Sequence, residues 1–274
     1  RPLVTTFHGT YNTRSFINRA YNSVMTKGDR VIAISAFIAE HVRRLYGVPA
    51  SRLRTIHRGV DLHRFDPAKV SAERVVQLAN DWRLTDGHPV IMLPGRLTRW
   101  KGQTVFIEAV AKLKRRDIRC LIVGGDQGRR DYRRELEAMV EKHELGEVVR
   151  IVDHCADMPA AYMLSDVVVS ASTDPEAFGR VMIEAQALGR PVIASDHGGA
   201  RETVLPDQTG WLVPPGDADA LSEVLAKVLY LDEASRGRLS VAAIANVVER
   251  FSKQRMCAKT LEVYNEVLQA AVTD

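Results

Sequence analysis

Cysteine is scarce: Cys120, Cys155 and Cys257 are the three in 274 residues. An odd, widely spaced set excludes a disulfide framework and points to a reducing cytosol. No apolar run approaches the roughly 18 residues of a membrane span, and no signal-peptide pattern is visible. Neither sign of charge dominates, because 38 Lys and Arg face 34 Asp and Glu for a net charge of +4. That excess fits a polyanionic ligand or an anionic membrane face and is too small to argue for nucleic acid. The dinucleotide fingerprint G-x-G-x-x-G is absent, as are internal repeats and low-complexity segments. What remains is 46% hydrophobic and 26% charged, the balance of a globular protein with one large or two modest domains.

Short apolar runs alternate with helix-length segments. Near the start, strand Leu3 to Phe7 is followed by a helix over Ser15 to Met25, strand Arg30 to Ile34, helix Ala36 to Tyr46 and strand Arg54 to His57. Ser35 is placed to cap the second helix, and Phe65-Asp66-Pro67 reads as linker. Two or three strands with two helices make half of a doubly wound layer, so a truncated domain lacking about 100 residues is expected. From Pro89 the rhythm is regular, with strands at 90–93, 120–123, 148–152, 167–169, 192–194 and 210–213, each leading towards a helix. This pattern predicts a Rossmann-like parallel sheet covered on both faces. Ligands bind such sheets beyond the carboxyl ends of the strands. The loops 94–102, 124–128, 153–157 and 172–180 should therefore share one rim.

The richest stretch runs from Asp174 to Ala194, as loop, helix and strand. Pro175 and Gly179 punctuate the loop, a helix spans Val181 to Leu188, and Gly189 closes it with Pro191 just beyond. A helix start directly after a strand offers free N–H groups and about half a positive charge, a seat for phosphate. Glu176 lies before that start and Glu184 about one turn past it. A diphosphate resting between them would bring a ribose beside Glu184 and a sugar beside Glu176.

Glu176 and Glu184 with Phe178-Gly179 between them, the exit Gly189-Arg190-Pro191-Val192 and the following Asp196-His197-Gly198-Gly199 together resemble a known signature. It is the donor site of retaining, metal-independent glycosyltransferases of the GT-B fold, family 4 (group 1). The resemblance implies transfer of a hexosyl unit from a nucleotide diphosphate sugar, UDP-linked in the first instance and GDP- or ADP-linked as alternatives. The acceptor would be a hydroxyl on a glycolipid, lipopolysaccharide or polysaccharide, and no cofactor would be required. Gly95-Arg96 and Lys101-Gly102 match the family's diphosphate-holding motif; read without it, they form a solvated basic loop. Gly124-Gly125-Asp126 is either a turn beside the nucleotide or a plain tight turn. His154 and Cys155 stand where the family has a Gly-rich segment near the base, which leaves base recognition to backbone groups or to these side chains. His8, after the first strand, matches the family's histidine facing the donor sugar. The expected catalytic set is thus His8, Arg96, Lys101 and Glu176. The donor-binding set is Gly95, Arg96, Lys101, Gly124, His154, Cys155, Glu176, Phe178, Gly179, Val181 and Glu184.

Asp217-Ala218-Asp219 has the D-x-D spacing of metal-dependent transferases but follows Pro214-Pro215-Gly216 and opens a helix. An N-cap is the expectation there, and no metal site is assigned. Residues 1–60 are expected to be the remnant of the acceptor-side domain, 61–250 the donor-binding domain, and 251–274 a helix crossing back. As a fragment, the chain should bind nucleoside diphosphate, transfer no sugar and self-associate through uncovered surface that includes Met256, Leu261, Tyr264 and Leu268. A cytoplasmic location, with peripheral association at the inner membrane, follows from the same resemblance. A nucleotide-sugar 2-epimerase of the same fold and a non-catalytic binding module are the rival readings.

Overall fold

The computed structural model describes residues 2–11 and 16–273. Ser15, the expected start of the first helix, lies outside the described residues. Two parallel sheets are present. The smaller has the order β1-β2-β3, from β1 (Val4–Phe7), β2 (Arg30–Ala33) and β3 (Leu53–Thr55). Helix α1 (Phe16–Ser23) lies between β1 and β2, and α2 (Ala36–Tyr46) between β2 and β3. Ser35 caps α2 by accepting from the Ile38 amide at 3.1 Å, and Gly47 ends it in the left-handed region at φ 67°. A helix α3 (Ala72–Asp81) follows the segment read as linker. The sequence reading did not include it, and none of its residues is fully buried. Its half-buried Val75, Leu78 and Ala79 pack on the core.

The larger sheet holds β4 (Val90–Pro94), β5 (Arg119–Val123), β6 (Val149–Val152), β7 (Val167–Ser170), β8 (Val192–Ser195) and β9 (Gly210–Val213). Its order is β6-β5-β4-β7-β8-β9, parallel throughout. In chain order that is 3-2-1-4-5-6, the doubly wound arrangement whose switch point lies between β4 and β7. Helices α4 (Gln103–Leu113), α5 (Arg130–Lys142) and α9 (Ala218–Leu229) cover one face. On the other lie α6 (Met158–Leu164), α7 (Arg180–Ala187) and α10 (Glu233–Arg250), with the short α8 (Ala200–Thr203) beside them. Strands covered on both faces carry continuous apolar runs such as Val167-Val168-Val169, and every residue of β4, β7 and β8 is buried.

The core on that second face runs unbroken into the small sheet, joining Phe7, Val31 and Ile38 to Phe178, Met182 and Phe251. The two chain crossings lie side by side, with the Val60 amide donating to the Phe251 carbonyl at 2.8 Å and Lys253 donating back to Val60 at 2.9 Å. Beyond them α11 (Lys253–Thr273) returns to the small sheet. Its Val263 and Met256 pack with Ile32, Ile56 and Val4. Its Glu266 bridges Arg30 and Arg54, whose guanidinium groups, Arg54 first, hold that carboxyl down to about 2. Leu261, Tyr264 and Leu268 project outward instead. Among the described residues no helix is long and apolar enough to cross a membrane.

Candidate active site

A cleft of about 620 Å³ opens where β4 and β7 end, walled on its far side by the small sheet. Two loops build it. The first leaves β4 through Gly95-Arg96 and passes Trp100 and Lys101 before entering α4; the second leaves β7 and carries Glu176 to Gly179 into α7. α7 has no side chain capping its start, so its first N–H groups remain available to a ligand. Its observed bounds, Arg180–Ala187, sit one residue earlier than the sequence pattern suggests.

The centre of the cleft is an ion pair. Lys101 Nζ lies 2.7 Å from Glu176 Oε1, and each side chain is 13% exposed. Ser172 Oγ, at 2.7 Å, and Ser170 Oγ, at 3.2 Å, donate to the same oxygen. Burial pushes the Glu176 carboxyl up, but the Lys101 ammonium and the two hydroxyls outweigh it and the group sits below its ordinary 4.5. Glu176 is therefore held ionised, with none of these donors on Oε2. Lys101 Nζ also stands 4.5 Å from the centre of the Trp100 ring, which shapes the cation from its apolar side.

Gly198 and Gly199 set the position of this loop. A Cβ on Gly198 would stand 2.4 Å from the Glu176 carbonyl oxygen, and one on Gly199 would stand 2.4 Å from Phe178 Cα. The Gly199 amide donates to the Glu176 carbonyl at 2.8 Å. His197 Nε2 lies 2.9 Å from the Ser172 carbonyl, which ties the two ends of the loop together.

Glu184 is placed differently. It is 9% exposed, and its oxygens are occupied by Tyr162 OH at 3.1 Å and Arg180 Nη2 at 2.7 Å. Burial, then the Glu184 charge, raises the Tyr162 hydroxyl well above its ordinary value, so it remains a donor.

The far wall brings His8, Ile34 and Arg58 to the same cleft. His8 Nδ1 lies 3.1 Å from Arg58 Nη1. Of the residues singled out from the sequence, His8, Gly95, Arg96, Lys101, Glu176, Phe178, Gly179 and Val181 line one space. Four others lie off that lining. Glu184 sits behind Arg180. Gly124 packs against the first loop, where a Cβ would stand 2.1 Å from the Gly95 carbonyl oxygen. Cys155 is buried in the core, its thiol pushed up by burial. His154 is exposed on its loop. Arg99 pairs with Glu135 at 2.6 Å, away from the cleft. Asp217 caps α9 by accepting from the Ala220 amide at 2.9 Å, while Asp219 pairs with Lys112. Among the described residues no three His, Cys, Asp or Glu side chains converge as metal ligands.

The sequence reading missed Arg58, Trp100, Arg180, Ser170, Ser172 and Glu202. Glu202 joins the domains: its carboxylate accepts from the Ala36 and Phe37 amides at 2.7 and 2.8 Å and pairs with His57 at 2.8 Å. Beside it Ser35 Oγ donates to the Ala177 carbonyl at 2.5 Å, and the His57 ring packs on Phe178 and Phe251. Glu202 and Arg58 carry no local mark, because their partners lie far away in sequence; Ser170, Ser172 and Arg180 have partners within six residues, but only the fold shows that those hydroxyls and that guanidinium turn towards the glutamates.

Residues 77–245 match the family model described as glycosyl transferases group 1, and residues 1–64 match glycosyltransferase family 4. A D-inositol 3-phosphate glycosyltransferase of Xylanimonas cellulosilytica is 35% identical over 249 residues, covering 88% of this chain and 58% of that protein. The putative colanic acid biosynthesis glycosyltransferase WcaL of Escherichia coli is 30% identical, with 92% of this chain and 61% of that protein covered. The chain thus spans about three fifths of the length of these curated relatives. A glycosyltransferase structure from Rickettsia africae superposes with a TM-score of 0.90 at 36% identity, covering 97% of this chain and 70% of that one. Anabaena HepE, solved with UDP-glucose, superposes at 0.88 with 27% identity over 97% of this chain and 72% of that one.

Proposed function

The chain belongs to the group 1 glycosyl transferases, and on that premise we propose that its cleft binds a nucleotide diphosphate sugar, the donor from which the whole protein moves the sugar to an acceptor hydroxyl. The observation that carries this reading is the Lys101–Glu176 pair beside the open start of α7 at the sheet's switch point. Lys101 has three donors, and one is directed to Glu176. The others, with the Arg96 fork and the N–H groups at the start of α7, hold the diphosphate. These groups stabilise negative charge as it builds on the leaving diphosphate, so they supply the neutralisation and transfer proceeds without a metal. Glu176 accepts hydroxyl protons of the sugar, which fixes the ring against His8 on the far wall. Glu184 accepts from the ribose once Arg180 turns aside.

UDP is the favoured nucleotide, in keeping with the UDP and UDP-glucose complexes of the Anabaena protein. The acceptor in this reading is a hydroxyl on a saccharide or a lipid-linked molecule, met at the cytoplasmic face of the membrane by a peripheral protein; the colanic acid biosynthesis in the name of the Escherichia coli relative supports the saccharide alone. Transfer retains the anomeric configuration. The full-length protein, incubated with UDP-sugars and chelator, should release no altered free sugar and should form glycoside only after acceptor is added. Proton NMR of the product should show the donor's anomeric configuration. Release of an epimerised free sugar, or a requirement for magnesium or manganese, would overturn the proposal.

A further inference from the structure

We propose that Arg58 is a positioning residue that fixes the tautomer of His8, so that the ring presents an N–H at Nε2 to the cleft and is not a base there; this rests on reading the cleft as the donor site. His8 follows β1, and Arg58 lies three residues past β3. β2 separates those strands, a gap of about 10 Å at the usual strand spacing. Only a long side chain spans it, and Arg58 Nη1 arrives 3.1 Å from His8 Nδ1. A guanidinium has donors and no acceptor, so Nδ1 must accept. In the neutral ring the remaining proton is then on Nε2. Burial opposes a second ring proton first, and the Arg58 charge at the same contact adds to it, so that the imidazole is held below its ordinary 6.5. The neighbouring Tyr11 hydroxyl takes the His8 backbone amide, at 3.3 Å, and not the ring.

The cleft consequently has complementary walls. Glu176 offers only an acceptor, and His8 only a donor. One sugar hydroxyl can donate to the first and a sugar oxygen can accept from the second. His8 takes no proton from the acceptor hydroxyl.

The test reads the ring directly. Two-bond proton–nitrogen spectra of the labelled chain at pH 7.5, with the His8 signals assigned by their loss in His8→Gln, should show an unprotonated Nδ1 and a protonated Nε2. Arg58→Met should give a mixture of tautomers, and Arg58→Lys should restore most of the wild-type pattern. In the full-length protein Arg58→Met should lower kcat about tenfold, on the scale of one lost hydrogen bond, with the donor KM changing less than about twofold. A protonated Nδ1 in the wild-type ring would overturn the proposal whether or not the variants fold. So would an unchanged tautomer in a folded Arg58→Met. Titration of the wild-type chain with UDP is a separate arm: absence of binding would sink the donor-site reading while leaving the tautomer result standing.

Discussion

Glu176 and Glu184 lie on one loop and helix with seven residues between them, yet the structure treats them differently. Glu176 faces the cleft and takes its cation, Lys101, from a loop 75 positions away. Glu184 lies on the buried side of α7 and takes Arg180 from one turn earlier on the same helix. The Lys101 pair is shielded on both sides, whereas the Arg180 side chain is 60% exposed. Arg180 can therefore turn into solvent, leaving Glu184 with the Tyr162 hydroxyl as its remaining donor. Lys101 cannot leave without stranding a buried carboxylate, and so it meets the diphosphate while remaining on Glu176. Partner exposure, more than the glutamates themselves, decides which carboxylate is fixed and which is conditional.

The largest effect should come from breaking the fixed pair on its basic side. Lys101→Ala should weaken UDP binding about 10- to 100-fold, the range for about 1.5–3 kcal/mol per hydrogen bond to a charged group, as read by calorimetric titration. Glu184→Gln should be smaller, about five- to tenfold on UDP, on the scale of about 1 kcal/mol for a single hydrogen bond. Retained UDP affinity there would mean that the conditional carboxylate does not reach ribose. Glu176→Gln should change bare UDP affinity by less than about twofold and yet remove the added affinity of a UDP-sugar over UDP.

The smallest effect should be on stability with pH. Glu176 sits below its usual 4.5 in the folded chain, so an unfolded chain binds this proton first. The pair's stabilisation is complete above pH 4.5 and is lost as pH falls through the lower folded value. Urea midpoints of wild type and Glu176→Gln should therefore converge as the solution is acidified below 4.5, and a constant gap would contradict the assignment.

How much of this was legible follows from where each residue's partner lies. α2 begins and ends where the sequence suggests, because Ser35 marks its start, and such a signal acts within a turn. The parallel sheet was legible from its continuous apolar strands. α3 was not, because Asp66-Pro67 reads as linker and the helix buries no residue fully. The glutamates were visible as a spaced pair, but their different settings depend on Lys101, Ser172, Tyr162 and Arg180 in space. The Glu202 junction was invisible for the same reason: its partners, Ala36, Phe37 and His57, lie more than a hundred residues earlier.

The central claim is that a diphosphate is held by Lys101, Arg96 and the start of α7 while Lys101 stays on Glu176. A crystal structure of the chain grown with UDP and a chelator tests it most directly. The account predicts phosphate oxygens within about 3 Å of Lys101 Nζ and of the first α7 amides, the usual span of charge-assisted bonds, with the Lys101–Glu176 contact intact. UDP bound elsewhere, or seated in the cleft with its phosphates turned away from Lys101, would contradict it.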